Sequence, residues 1–270
     1  MTTLATGPRS ASLRAPSERT TVLALRWGTV ALAVLAWELV CRGPLADNGY
    51  LASPSQVVLT GLPAIAQSEP LAALGHTTAR FLAAFAITAL LGTLSGLLAG
   101  RAHRQTFAGV RDVVSVLYSL PMAPFSPLFV IWLGLGPRSE VAFGVIHGVI
   151  PVVLLTMTAS AAVPESYVSA GRAMGAGRLQ RLLLVLLPAV TPQLVTALKI
   201  GAALSLLGIL LAELMISVGG VGSFIASRIS SQQGAALDAM VLVVCVGALA
   251  VNAALSAAER RASRWQTQRS

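Results

Sequence analysis

Three histidines, two cysteines and a thin scatter of acids are the side chains here with the chemistry to move protons or attack a carbonyl, and their spacing argues against catalysis. A hydrolase needs a nucleophile beside a positioned base. Of His76, His103 and His147, only His147 falls well inside an apolar stretch, and no Gly-x-Ser-x-Gly or His-Glu-x-x-His element occurs. The serine in Gly92-Thr93-Leu94-Ser95-Gly96 sits in a run of small residues whose spacing suits helix packing better than nucleophilic attack. Cys41 and Cys245 have no metal-ligand company and are not expected to pair. What remains is charge embedded in apolar sequence, where it is costly and often functional. Lys199 begins one such stretch, where its stem can snorkel. Glu213 follows 14 residues later on the same helical face, and Glu38 lies beside Arg42. All three read as interfacial anchors or as members of an interhelical pair.

The elements that must position these groups are membrane spans. Of 270 residues, 55% are apolar and 11% charged, against about 25% charged in soluble domains. About 20 apolar residues cross a bilayer as a helix. Six stretches qualify: Val22–Val40, Thr78–Ala99, Val113–Leu135, Val141–Val163, Pro192–Val218 and Leu237–Ala258. The expected fold is therefore an all-α integral membrane protein of about six transmembrane helices, one bundle over residues 21–265. Residues 1–20, rich in Ser, Thr and Arg, read as a disordered cytoplasmic tail. No small-x-small cleavage site follows Leu23–Val40, so that stretch reads as a retained span. The net charge of +9 would suit nucleic acid, but the basic residues are distributed as in a membrane protein, and no nucleic-acid partner is expected. With the N-terminus placed in the cytoplasm, the inner side holds 14 of the 19 Lys and Arg residues and the outer side only Arg42, Arg138 and Arg228. Both termini are expected inside. Glu213 then lies near the outer end of its span, where it would shape an outer gate or a contact between two copies.

Two segments stand out from the spans. Pro164 to Arg181 falls on the inner face and carries Glu165, Arg172, Arg178 and Arg181 among Ala170, Gly171, Ala173, Gly175, Ala176 and Gly177. Such small residues let another backbone approach closely, so the segment suits docking better than lipid contact. The third span contains Leu120-Pro121-Met122-Ala123-Pro124-Phe125-Ser126-Pro127. Each proline removes a donor and clashes with the preceding turn, so a regular helix is not expected there. Carbonyls freed at membrane depth need protein or cavity water, and broken helices of this kind line pathways in transporters. Ser119, Pro121, Met122, Pro124, Ser126 and Pro127, with His147 and Glu213, are the pathway candidates. The outward connection at Gly219-Gly220-Val221-Gly222 reads as a turn, since no Gly-Lys-Ser/Thr follows to hold phosphate.

Ser169-Ala170-Gly171-x-x-x-Gly175, nine residues, then Val185-Leu186-Leu187-Pro188 resembles the signature Glu-Ala-Ala-x3-Gly-x9-Ile-x-Leu-Pro of ABC importer membrane subunits. Leu51-Ala52-Ser53-Pro54-Ser55 and the stretch from Ala123 to Gly136 resemble the nitrate/sulfonate/taurine subgroup. Ala212-Glu213-Leu214-Met215, Gly220-Val221-Gly222 and Glu259-Arg260-Arg261 fit as well. The resemblance runs from about residue 25 to 265. It implies a type I ABC importer permease in a bacterial inner membrane, paired as a likeness of two copies around a pore, most simply a homodimer. It implies further that Glu165, Ser169, Ala170, Gly171, Arg172, Gly175, Leu187 and Pro188 belong to a coupling helix seated in a cytoplasmic ABC ATPase dimer. An extracytoplasmic substrate-binding protein would deliver the solute. The chain has no Walker A loop, so ATP and Mg would be used by the partner and no cofactor is bound here. The signature is departed from at two places: its second Ala is Gly171, and its acid, which can pair with a basic residue of the ATPase, is Ser169, so docking is expected either to be weaker or to rely on Glu165 and the packing face.

The solute implied is a small anion such as a sulfonate or nitrate, with a pyrimidine vitamin precursor or bicarbonate as alternatives. A membrane-embedded enzyme would need paired polar residues at matching depth, and none stands out. A secondary-transporter half would need inverted repeats and buried coupling carboxylates, of which Glu213 alone is well placed.

Overall fold

The computed structural model describes residues 18–44, 49–216 and 219–263, leaving aside the side chains of 18–20, 216 and 261–263. Most of the tail read at residues 1–20 lies outside the described residues. Its last three residues already belong to the first helix, α1 (Glu18–Arg42). A short helical run at residues 54–65 (α2) leads to α3 (Ser68–Gly100). Then come α4 (Arg104–Ser119), a single 3-10 turn at Ala123–Phe125, α5 (Ser126–Leu133) and α6 (Pro137–Ala162). The short α7 (Glu165–Ala173) precedes α8, which runs over residues 178–216 and includes a π-helical turn at Leu182–Leu186. The chain finishes with α9 (Val221–Ser230) and α10 (Gly234–Ser263). Five of these helices are long and apolar enough to cross a membrane, and the bent α4–α5 pair makes a sixth candidate.

The core is α3, α6 and α8, held together by small residues rather than by bulk. In lipid no hydrophobic force drives helices together, so close backbone packing must do it. Gly92, Gly96 and Gly100 form one stripe on α3. A Cβ on them would meet Val152, Thr156 and Ser160 of α6 at 2.7, 2.7 and 2.6 Å. The stripe read at Gly92–Gly96 is thus a helix-packing seam. Gly144 of α6 meets α8 in the same way, where a Cβ would sit 2.9 Å from Ile209. Buried Thr88 and Ser205 hydroxyls, 3.3 Å apart, join α3 to α8 at the centre. A cluster of Leu97, Val163, Val168, Leu182, Leu186, Val190 and Leu194 seats α7 beneath this core.

Two expected spans take a different form. The third is two helices bent by 84°. Leu120, forced out of the α region by the ring of Pro121, is extended at φ −75 and ψ 135. Helix resumes only at Ala123. The fifth span starts at Arg178 rather than Pro192, and both Pro188 and Pro192 lie inside helix. The π turn explains Pro188: the Leu187 N–H already reaches back five residues to the Leu182 carbonyl, so the helix is locally unwound where the next residue has no donor to offer. Val218, the expected end of that span, lies outside the described residues.

α1 stands apart, with Val22, Trp27 and Leu39 all more than 60% exposed. Among the described residues, its polar ties lie near its C-terminal end. Glu38 accepts from the Ser55 N–H at 3.0 Å and the Ser55 hydroxyl at 2.7 Å, and Arg42 donates to that hydroxyl at 2.9 Å. The α2 run starts at a capping box of Ser53 and Gln56 with Pro54 in the first turn. It lies on α10, where a Cβ on Gly61 would sit 2.8 Å from that of Ala239, and Asp238 of α10 accepts from the Ala52 N–H at 2.8 Å.

Candidate functional site

At one end of the bundle the segment read for docking forms α7, a tight turn and the start of α8. Gly175 makes the turn at φ +80, which favours glycine, and its N–H reaches the Arg172 carbonyl at 3.0 Å. Val168 and Gly171 face inward; a Cβ on Gly171 would lie 3.3 Å from Val185 and 3.4 Å from Arg181. Ser169, Ala170, Arg172 and Gly175 are exposed, while Leu187 and Pro188 are half-buried in α8 beyond the π turn. Glu165 is engaged inside the chain. Its carboxylate contacts the Arg101 guanidinium at the end of α3, and Arg172 approaches it at 3.9 Å. Arg101 also donates to the Val163 carbonyl at 3.0 Å, pinning the end of α6. Exposed Tyr167, Met174 and Leu179 flank this surface.

The pathway candidates divide. Ser119, Pro121, Pro124 and Pro127 are exposed around the bend, Met122 is half-buried, and Ser119 merely donates to its own helix at the Ser115 carbonyl. Ser126 is fully buried and reaches the Met215 sulfur at 3.6 Å, fastening the start of α5 to the end of α8. His147, half-buried in α6, has Nδ1 3.0 Å from the Phe143 carbonyl and its ring against that of Phe143.

Glu213 belongs to a cluster at the opposite end that sequence reasoning did not assemble. Arg80 of α3, its side chain only 11% exposed, lies 2.9 Å from Glu213 of α8 and 2.8 Å from Glu140 of α6. Both acids are 1% exposed. The Thr77 hydroxyl lies 2.8 Å from each oxygen of Glu213, and the Gly222 N–H donates to it at 3.0 Å. Arg80 donates also to the Gly219 carbonyl at 2.9 Å, and the Val221 N–H to Thr77 at 2.8 Å. Gly219 and Gly220, at φ +138 and +98, wrap this turn around the carboxylate. One guanidinium thus ties three helices and a turn together. Arg80 sits in the first half of one apolar helix and Glu140 in the first turn of another; that pairing of opposite charges toward the same ends was the available signal. The other embedded pair is Lys199 with Glu259, 2.6 Å apart between α8 and α10. Among the described residues no group of His, Cys, Asp and Glu could hold a metal ion.

A bundle of membrane-length helices with one bent span and a short helix turned out at one end is the fold of ABC importer permeases. Two solved structures of inward-facing conformations of the MetNI methionine ABC transporter share it, with TM-scores of 0.60 and 0.59 at 20% and 19% identity. They cover 73% and 70% of this chain, and it covers 100% and 94% of theirs. The chain belongs to the family of binding-protein-dependent transport system inner membrane components, whose model matches residues 90–266. It is 26% identical to the taurine transport system permease protein TauC of Escherichia coli, over 93% of this chain and 92% of that one. It is 25% identical to the putative aliphatic sulfonates transport permease protein SsuC of Bacillus subtilis, over 87% and 85%. The nitrate import permease protein NrtB of Synechocystis is 28% identical over 73% and 74%. The resemblance read from the motifs is thereby borne out, and the protein is a multi-pass membrane transport subunit.

Proposed function

We propose that the chain is the pore-forming permease of an ATP-driven importer, working as a homodimer with a cytoplasmic ABC ATPase dimer and an extracytoplasmic binding protein. The observation that carries this reading is the outturned α7–Gly175–α8 corner, which presents Ser169, Ala170, Arg172 and Gly175 on the surface while Val168 and Gly171 anchor it. That corner is the coupling element, backed by Leu187 and Pro188 and braced by Glu165. It faces the cytoplasm with both termini, and the Arg80 cluster faces outward. The solute passes along the broken α4–α5 span past Ser119, Pro121, Met122, Pro124, Ser126, Pro127 and His147, while Glu213 holds the outer end together without touching it. The nucleotide chemistry belongs to the ATPase.

The solute is a sulfonate, nitrate or similar small anion, a reading supported by the names of the relatives above. A second reading, a pyrimidine vitamin precursor or bicarbonate, is supported by 23% identity to the formylaminopyrimidine transport permease protein ThiX of Halalkalibacterium halodurans and 27% to the bicarbonate transport system permease protein CmpB of Synechococcus elongatus. Reconstitution with the cognate ATPase and binding protein tests both. ATP-dependent uptake of labelled taurine or nitrate is expected; uptake of formylaminopyrimidine alone would replace the anion reading. Gly175→Trp is expected to abolish ATPase binding while the chain still inserts. Normal co-purification of the ATPase with that variant would sink the coupling assignment.

A further inference from the structure

The coupling corner carries its charge in an unexpected sense. The cavity of about 280 Å³ beneath it is bordered by Arg101, Arg172, Arg178 and Arg181 and by one acid, Glu165. That acid is already met from inside the chain by Arg101 and approached by Arg172. Ser169, at the place of the signature acid, brings no charge. The segment therefore offers a partner no free carboxylate, but it does offer exposed guanidinium groups at Arg172 and Arg178.

We infer that this corner docks on an acidic patch of the partner ATPase, with carboxylates of that subunit meeting Arg172 and Arg178. The inference rests on the coupling reading above and adds the polarity of the contact. Arginine suits it, because its planar fork takes a carboxylate in two parallel hydrogen bonds. A protein partner fits the corner better than lipid headgroups do. Tyr167, Met174 and Leu179 are 59%, 81% and 66% exposed beside the arginines, a mixture of aromatic, Met and Arg typical of protein interfaces. The glycine turn at φ +80 and the exposed Ala170 and Ala173 leave room for a second backbone, which a headgroup does not need. Glu165 then has a positioning role, holding Arg101 and the end of α6 in place under the docked surface.

The test measures the affinity of the cognate ATPase for the full-length chain in nanodiscs, across a salt series. Arg172→Glu with Arg178→Glu is expected to weaken binding about 10–100-fold and to flatten its salt dependence. Arg172→Lys with Arg178→Lys keeps the charge but loses the two-point fork, so it should weaken binding less than the charge-reversed pair and leave the salt dependence in place. Lysines introduced at the facing acids of the ATPase should restore binding to the charge-reversed chain. Unchanged affinity and salt slope in the reversed variant would overturn the proposed polarity while leaving the coupling reading intact. A wild-type chain that fails to bind the ATPase at all would overturn that reading instead. If the reversed variant loses affinity only in nanodiscs containing phosphatidylglycerol, and not in neutral phosphatidylcholine, the arginines serve lipid and the inference fails.

Discussion

Replacing Arg80 by methionine keeps the length of the side chain and removes the cation that bridges Glu140 and Glu213. Both acids are 1% exposed, and each lies within 2.9 Å of the same guanidinium nitrogen. Left without it, the two carboxylates would face each other across less than about 6 Å, their oxygens being 2.8 and 2.9 Å from that nitrogen, where like charges repel by about 3 kcal/mol at an effective dielectric constant of about 20. Breaking a buried pair from one side costs about 3–5 kcal/mol by itself. Even the low figure, about 3 kcal/mol, corresponds to a fall in Tm of about 6–12 °C for a chain of this size. The assay is thermal unfolding of the purified protein in detergent, followed by tryptophan fluorescence. Arg42→Met is the control, because Arg42 makes an exposed pair with Glu38 in which its own side chain is 66% accessible. Surface pairs are worth about 1 kcal/mol or less. Adding Glu140→Gln and Glu213→Gln to Arg80→Met should recover more than half of the loss, since no buried charge then remains. Melting of Arg80→Met within about 2 °C of the Arg42→Met control would refute the account.

Two further expectations concern packing. Gly96→Ala places a methyl 2.7 Å from the Thr156 Cβ and should destabilise by about 1–3 kcal/mol, whereas Gly75→Ala meets nothing within 4 Å and should be neutral or slightly stabilising. Equal melting of the two variants would remove the seam from the argument. Asp238→Ala leaves the Ala52 N–H without its acceptor, at a cost of about 1–3 kcal/mol, and should speed proteolysis between residues 49 and 67. Unchanged cleavage kinetics would show that the remaining contacts with α10 and the Ser55–Glu38 bonds hold α2 without Asp238.

Much of this architecture was legible in the sequence because membrane burial is written in long apolar runs. The stretches expected at Thr78–Ala99, Val141–Val163 and Leu237–Ala258 lie almost wholly within α3, α6 and α10. The break at Pro121 was legible for a steric reason, and the bend falls where the rule for residues preceding proline puts it. The start of α8 was not. Arg178 and Arg181 group with the docking segment and the expected span begins at Pro192; a count of apolar residues does not show the π turn that lets one helix run on through Pro188. The Arg80 cluster was missed for a different reason. Arg80 and Glu213 are 133 residues apart, and each charge taken singly looks like an anchor at the end of a span. Only the three-helix packing shows that they meet.

The glycine seam between α3 and α6 has a mechanical consequence. Its notches at Gly92, Gly96 and Gly100 are filled by opposing side chains, so small axial slippage is resisted and the next comfortable register lies a full helical turn, about 5.4 Å, away. Arg101 clamps one end of the pair to Val163, and Arg80 clamps the other to Glu140. Joined in this way, the two helices behave as one beam over the ~39 Å length of α6. The hydroxyl contact of Thr88 with Ser205 lies between its clamps. Because Arg80 also holds Glu213, a displacement delivered at the Arg101 end would be carried along the beam to the residues around Glu213.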